Sequence, residues 1–179
     1  MLKGIDPILT PDVLHALCSM GHGDEVAVVD AHYPADAAGR SSSIGKVLRL
    51  DGVDSARAIR AVLSVLPLDS FVPHPAERMQ VDNEPETLPQ VQREAQAEVN
   101  TAAGEPELFA TVVRQDFYER AKKTYCVIIT GETRGWGCFI FKKGLETSPD
   151  APRTEGHTAT AQWSAWANVR GAKENVDVI

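Results

Sequence analysis

The stretch MGHGDEVAVVDAHYPA, Met20 to Ala35, sets the register of the whole chain. Glu25 to Val29 is a short run of mostly apolar, β-branched residues, which reads as a buried-type strand. Polar groups with chemical reach bracket it. His22 lies between Gly21 and Gly23, as in a tight turn that leaves room for a ligand. Asp30 and His32 follow the last valine, and alternate residues of a continuing strand share one face. A helix precedes this unit. Thr10 caps it, Pro11 suits its first position, Asp12 complements its positive end, and Val13, Leu14, Leu17 and Cys18 carry its apolar spacing to a stop at Gly21.

Outward from this unit, Ala31 to Ser43 reads as a loop rich in Ala, Gly and Ser, and Val47 to Leu50 as a strand. Asp54 or Ser55 caps a helix whose apolar face is Ile59, Val62, Leu63 and Leu66, ending at Pro67. Phe71 to Pro75 is extended, because His74 precedes a proline. Met79 to Val81 reads as a strand, Glu84 to Pro89 as turns, and Gln90 to Ala103 as a polar helix closed by Gly104. Then come a strand at Phe109 to Val113, a helix at Asp116 to Tyr125 and a strand at Cys126 to Thr130. A glycine-rich turn, Gly131 to Gly137, leads to a returning strand at Cys138 to Phe141. Helices and strands alternate without a strict βαβ period, which predicts a single-domain mixed α/β fold over residues 1–144. Residues 145–179 differ in character. Leu145 to Thr160 is linker-like, and Gln162 to Ile179, with Trp163 and Trp166, suits either a short docking helix or a disordered tail.

With 179 residues, 43% of them apolar, the chain can bury a sizeable core. A net charge of −7 argues against nucleic acid or an anionic membrane as the main partner. Cys18, Cys126 and Cys138 are odd in number and widely spaced, so they read as reduced thiols of a cytoplasmic protein. Prolines and aspartates interrupt the N-terminus where a secretory signal needs an apolar run.

The candidate chemistry has competing readings. His22 is an acid–base group or a turn residue. Asp30 is a ligand carboxylate or a loop cap, and His22, Asp30 and His32 together have donor types that suit a metal. Gly39 to Lys46 superficially resembles a phosphate loop, but has five residues between its glycines and Val47 after the lysine. Arg114 to Arg120 is an amphipathic helix with Phe117 in the core and Glu119 solvated, or a segment presenting Arg114 and Tyr118 to a polar ligand. Trp136 stacks on a sugar face or is an ordinary surface aromatic.

Taken together, the N-terminal segment through Ala35, with LDSFV, FYERAKKTY, VIITGE and KKG in that order, resembles the RbsD/FucU sugar-mutarotase family over Met1 to Gly144. The Asp30-Ala31-His32 triplet favours its fucose mutarotase branch. The resemblance implies a cofactor-free, metal-free isomerase that interconverts the α and β anomers of L-fucose or a related monosaccharide, working as a homo-oligomeric ring, commonly a decamer, with its sites near subunit contacts. It implies His22 as the proton donor and Asp30 and Arg114 as sugar-binding groups, to which Tyr118 adds a further donor. A Tyr-Gly-Asn motif of the family reads Trp136-Gly137-Cys138 here, a departure that removes acceptors. On this reading β-strand and turns bring His22 and Asp30 about one pocket. A sugar-binding module without catalysis is the alternative.

Overall fold

The computed structural model describes residues 2–104, 106 and 109–146. Its elements run α1 (Pro11–Ser19), β1 (Glu25–Val29), α2 (Ala35–Ser41), β2 (Val47–Leu50), α3 (Ser55–Leu63), β3 (Ala76–Met79), α4 (Gln90–Ala103), β4 (Ala110–Val112), α5 (Arg114–Ala121), β5 (Cys126–Thr130) and β6 (Phe139–Lys142). Local chemistry sets most of the ends. The Thr10 hydroxyl accepts from the Val13 amide at 3.3 Å, and the Asp54 carboxylate accepts from the Arg57 amide at 2.7 Å. Gly104 closes α4 in the left-handed conformation, φ 74°. Lys143 Nζ donates to the carbonyls of Leu17 and Met20, placing a cation at the negative end of α1.

The strands form one six-stranded sheet in the order β2-β5-β1-β6-β3-β4. β1 is central, parallel to β5 and antiparallel to β6, while β2 runs parallel to β5 and β4 parallel to β3. β3 is antiparallel to β6. β6 therefore runs against all the other strands, and its start shares an edge with their ends.

Alternation along the strands builds two cores. Val26 and Val28 of β1, Cys126 and Ile128 of β5, and Phe139 and Phe141 of β6 face α1, α3 and α4. Ala27 and Val29, Val127, and Ile140 face α2 and α5. The result is a three-layer single domain, mixed α/β as the sequence predicts. Phe117 of α5 is fully buried in the second core, as expected, and Glu119 is exposed. The stripe Val91, Gln92, Ala95 and Val99 buries one side of α4.

Four local expectations change. The segment Ala31 to Ser43 is no loop throughout, because α2 occupies Ala35–Ser41. Ala35 and Ala38 supply its packing, and Gly39 lets it approach β2 so closely that a Cβ there would stand 2.6 Å from the Val47 amide nitrogen. The strand expected at Met79 to Val81 lies earlier, at Ala76–Met79, where it can pair with β6 and β4. α5 begins at Arg114, two residues before the expected Asp116. Phe71 to Pro75 forms turns and bends instead of an extended segment. The linker and docking readings of residues 147–179, Trp163 and Trp166 included, lie outside the described residues. Among those described, no helix is long and apolar enough to cross a membrane.

Candidate functional site

The ends of β1 to β5 and the start of β6 meet at one edge of the sheet, the place where parallel α/β sheets build their sites. Asp30 leaves β1 at this edge and is 95% buried, with 5% of its surface exposed. Three donors converge on its carboxylate. Oδ2 accepts from the Gly137 amide at 3.2 Å and from the Cys138 thiol at 3.3 Å, and Oδ1 accepts from the His32 amide at 3.1 Å. Burial, and then the negative charge of Asp30, push the Cys138 thiol well up, so it remains a neutral donor.

Trp136, Gly137 and Cys138 form the corner that enters β6. Gly137 is required sterically, since a Cβ would come 2.9 Å from Glu132 Cγ and 3.0 Å from Ser55 Oγ. Trp136 adopts φ 69°, a left-handed conformation that costs a bulky residue on the order of 1–3 kcal/mol. The corner's polar atoms are clamped against that cost. Ser55 Oγ donates to the Gly137 carbonyl at 3.0 Å and Gln92 Nε2 to the Trp136 carbonyl at 2.9 Å.

Tyr118 and Trp136 both pack on the second core, which contains Tyr33, Met79 and Cys138. The Tyr33 ring meets Tyr118 edge-on at 5.2 Å and Phe117 at 5.9 Å. Arg114 opens α5 at the same edge of the sheet, but after the outermost strand, three places and about 14 Å from β1. There it forms a two-point pair with Asp82, Nε to Oδ1 at 3.2 Å and Nη2 to Oδ2 at 2.8 Å.

His22 is elsewhere. Its Gly23 neighbour donates to the Lys143 carbonyl, where β6 ends and β1 begins. Asp30 lies at the far end of β1, so about 20 Å of strand separates the two. One chain does not gather them about one pocket, contrary to expectation, because a strand sends its two ends to opposite edges. Within one chain the same distance separates His22 from Asp30 and His32. No cluster of three potential ligands occurs among the described residues. His32 Nε2 donates to the Thr133 carbonyl at 2.9 Å and so ties the loop after β1 to the loop after β5.

His22 has its own partner. Nε2 lies 3.1 Å from Oδ1 of Asp69, which is almost wholly buried and also accepts from the Phe71 amide. A carboxylate only accepts, so Nε2 carries the hydrogen and Nδ1 is left as the proton-accepting nitrogen. The Phe71 ring packs against the imidazole at 5.3 Å.

Sequence reasoning passed over Asp69, Glu132, Ser55, Gln92 and Asp82. Glu132 is 3% exposed, and Arg134 grips it with two N–H groups and its backbone amide. That guanidinium holds the Glu132 carboxyl below the usual range against an opposing desolvation effect. The only local hint was a carboxylate just after a strand and a glycine. Each of the other residues acts through a partner 32 to 82 positions away.

Comparison with known proteins follows the same outline. Residues 3–146 match the model of the RbsD / FucU transport protein family. The L-fucose mutarotase of Histophilus somni is 37% identical over 145 residues, 81% of this chain and 97% of that protein. A solved structure of a candidate sugar-binding protein superposes with a TM-score of 0.81 at 48% identity, covering 82% of this chain and 97% of the other. The fucose mutarotase of Streptococcus pneumoniae, solved in complex with L-fucose, gives 0.73 at 33% identity, covering 82% of this chain and all of the other. With the match spanning the sheet, both cores and the corner at Gly137, this chain belongs to the RbsD / FucU family.

Proposed function

We propose that this protein interconverts the α and β anomers of L-fucose or a closely related monosaccharide. The observation that carries the reading is kinship along nearly the full length of a protein named L-fucose mutarotase, over the same fold as one that holds L-fucose. The chemistry asks little of the protein. A proton leaves the anomeric hydroxyl, a proton reaches the ring oxygen, and the bond between that oxygen and the anomeric carbon breaks. The open aldehyde turns about its bond to the next carbon, and the ring closes on the other face. No redox step and no metal is needed, and an imidazole suits the proton transfers.

In this reading His22 exchanges the proton, its tautomer set by Asp69. Asp30, the Gly137 backbone, Arg114 and Tyr118 hold sugar hydroxyls, and Trp136 offers an aromatic face. Cys138 acts chiefly through Asp30, because its thiol hydrogen is already engaged there. With about 20 Å of strand between them, His22 and Asp30 meet one sugar only across a contact between two copies. The working form is therefore a homo-oligomer, read here as a cytoplasmic ring.

The departure at Trp136 and Cys138 favours a second reading, a sugar binder without catalysis. Saturation-transfer NMR of L-fucose separates them. Anomer exchange should quicken with the protein and return to the spontaneous rate with His22→Gln. Binding without faster exchange, across L-fucose, ribose and related sugars, would leave the binder.

A further inference from the structure

Gln92 is fully buried on α4, far in sequence from the corner it touches. Arg78 of β3, only 6% exposed, donates Nη1 to Gln92 Oε1 at 2.9 Å. A guanidinium has donors alone, so this bond fixes which end of the amide is oxygen. Nε2 must then point the other way, and it donates to two carbonyls, Met79 at 2.8 Å and Trp136 at 2.9 Å. Arg78 is anchored in turn by the carbonyls of Pro85 at 2.8 Å and Thr87 at 3.3 Å. Among the described residues it has no ion pair with a carboxylate. Its hydrogen bonds all go to neutral oxygens, and the nearby Glu86 charge only partly offsets the desolvation that burial imposes.

We infer that Gln92, oriented by Arg78, is a positioning residue that holds the Trp136–Gly137–Cys138 corner in its sugar-binding conformation. The corner needs such a holder. Trp136 sits in the left-handed region, and turning its peptide toward the ordinary extended conformation would swing the carbonyl away from Gln92. The next residue's amide is the donor to Asp30, so the peptide plane that Gln92 grips is the one that presents the Gly137 N–H to the carboxylate. Ser55 fixes the following carbonyl, and Cys138 is held by its own strand pairing and by Asp30. Gln92 thus controls the first peptide of the corner, and through it both the indole and one donor to Asp30.

The inference rests on the sugar-site reading for its functional half, and its test has a readout that does not. Gln92→Glu keeps the volume and the Arg78 partner but turns an acceptor toward two carbonyls. Gln92→Leu removes the hydrogen bonds altogether. Both would be made in a Trp163→Phe, Trp166→Phe background, leaving Trp136 as the one indole. Hydrogen exchange at the Gly137 amide should speed up by about tenfold, the equivalent of one lost hydrogen bond. The Trp136 indole N–H resonance should shift or broaden. KM for L-fucose should rise by a similar factor, about tenfold, with kcat within about twofold, since the corner holds ground state and transition state alike.

Gln92→Glu should refold cooperatively, which keeps the test open if Gln92→Leu does not fold. Unchanged Gly137 exchange in a folded variant would overturn the inference, as would a loosened corner with KM unaltered. Were the parent protein itself without effect on any sugar tried, the function reading would fall, and Gly137 exchange alone would decide the positioning claim.

Discussion

Mixing two inactive variants tests the placement of the site most directly. If His22 exchanges the proton, as proposed, His22→Gln should lower catalysed exchange by about 10²–10⁴-fold. Asp30→Asn keeps an oxygen toward Gly137 but removes the charge proposed to hold the sugar. Each homogeneous variant should be close to inert. Within a chain the two positions stand about 20 Å apart, at the two ends of β1. If a site takes His22 from one copy and Asp30 from the next, random co-assembly in equal amounts gives each site an intact histidine half the time and an intact aspartate half the time. About a quarter of the sites are then whole, and the mixture should recover about a quarter of the parent rate. The variants would be unfolded and refolded together, subunit mixing checked by native mass spectrometry, and exchange of L-fucose followed by saturation transfer. A mixed assembly that stays at the level of its parts refutes the shared site, and an active His22→Gln protein removes the histidine from the mechanism.

Other outcomes follow from the same geometry. Gly137→Ala places a Cβ against Glu132 and Ser55, so it should abolish sugar effects while Gly135→Ala, whose Cβ meets nothing within 4 Å, leaves them near normal by the same NMR assay. Phe117→Ala empties a fully buried site and should cost about 3–5 kcal/mol in urea unfolding. Burial pushes the Cys126 thiol up to about 12 and the Cys138 thiol well up too, whereas Cys18 is exposed, so a thiol reagent at pH 8 should label Cys18 in the native protein and all three thiols after denaturation. The Arg134 contact depresses the Glu132 carboxyl below its unfolded value. Its stabilisation is present above the ordinary Glu range near pH 4 and is lost as pH falls through the folded value. Glu132→Gln should therefore be less stable than the parent at pH 7, and the gap should narrow on acidification below about pH 4, as unfolding curves at several pH values would show.

Much of this protein is legible in its sequence, because the signals are local. Thr10, Asp54 and Gly104 mark helix ends by hydrogen bonds that reach only a few residues, and β1, β2, β5 and α4 fall where periodicity puts them. α2 was missed for the opposite reason. Its glycine and serines read as a loop, and only the close approach of β2 makes Gly39 a packing residue. The family likeness assigns both Asp30 and the Gly137–Cys138 corner to sugar, but their direct contact across more than a hundred residues is a product of the β1–β6 pairing.

By itself, then, the sequence determined the element types, the alternation that divides each strand between two cores, and the family likeness carried by its motifs. The tertiary structure alone decided which residues touch across the chain and which stand at opposite edges of the sheet. Sheet order and strand direction arise from pairings distant along the chain, which no window of residues encodes. Those pairings send β6 against its neighbours, bring its corner to Asp30, and leave His22 at the opposite edge, beside Asp69.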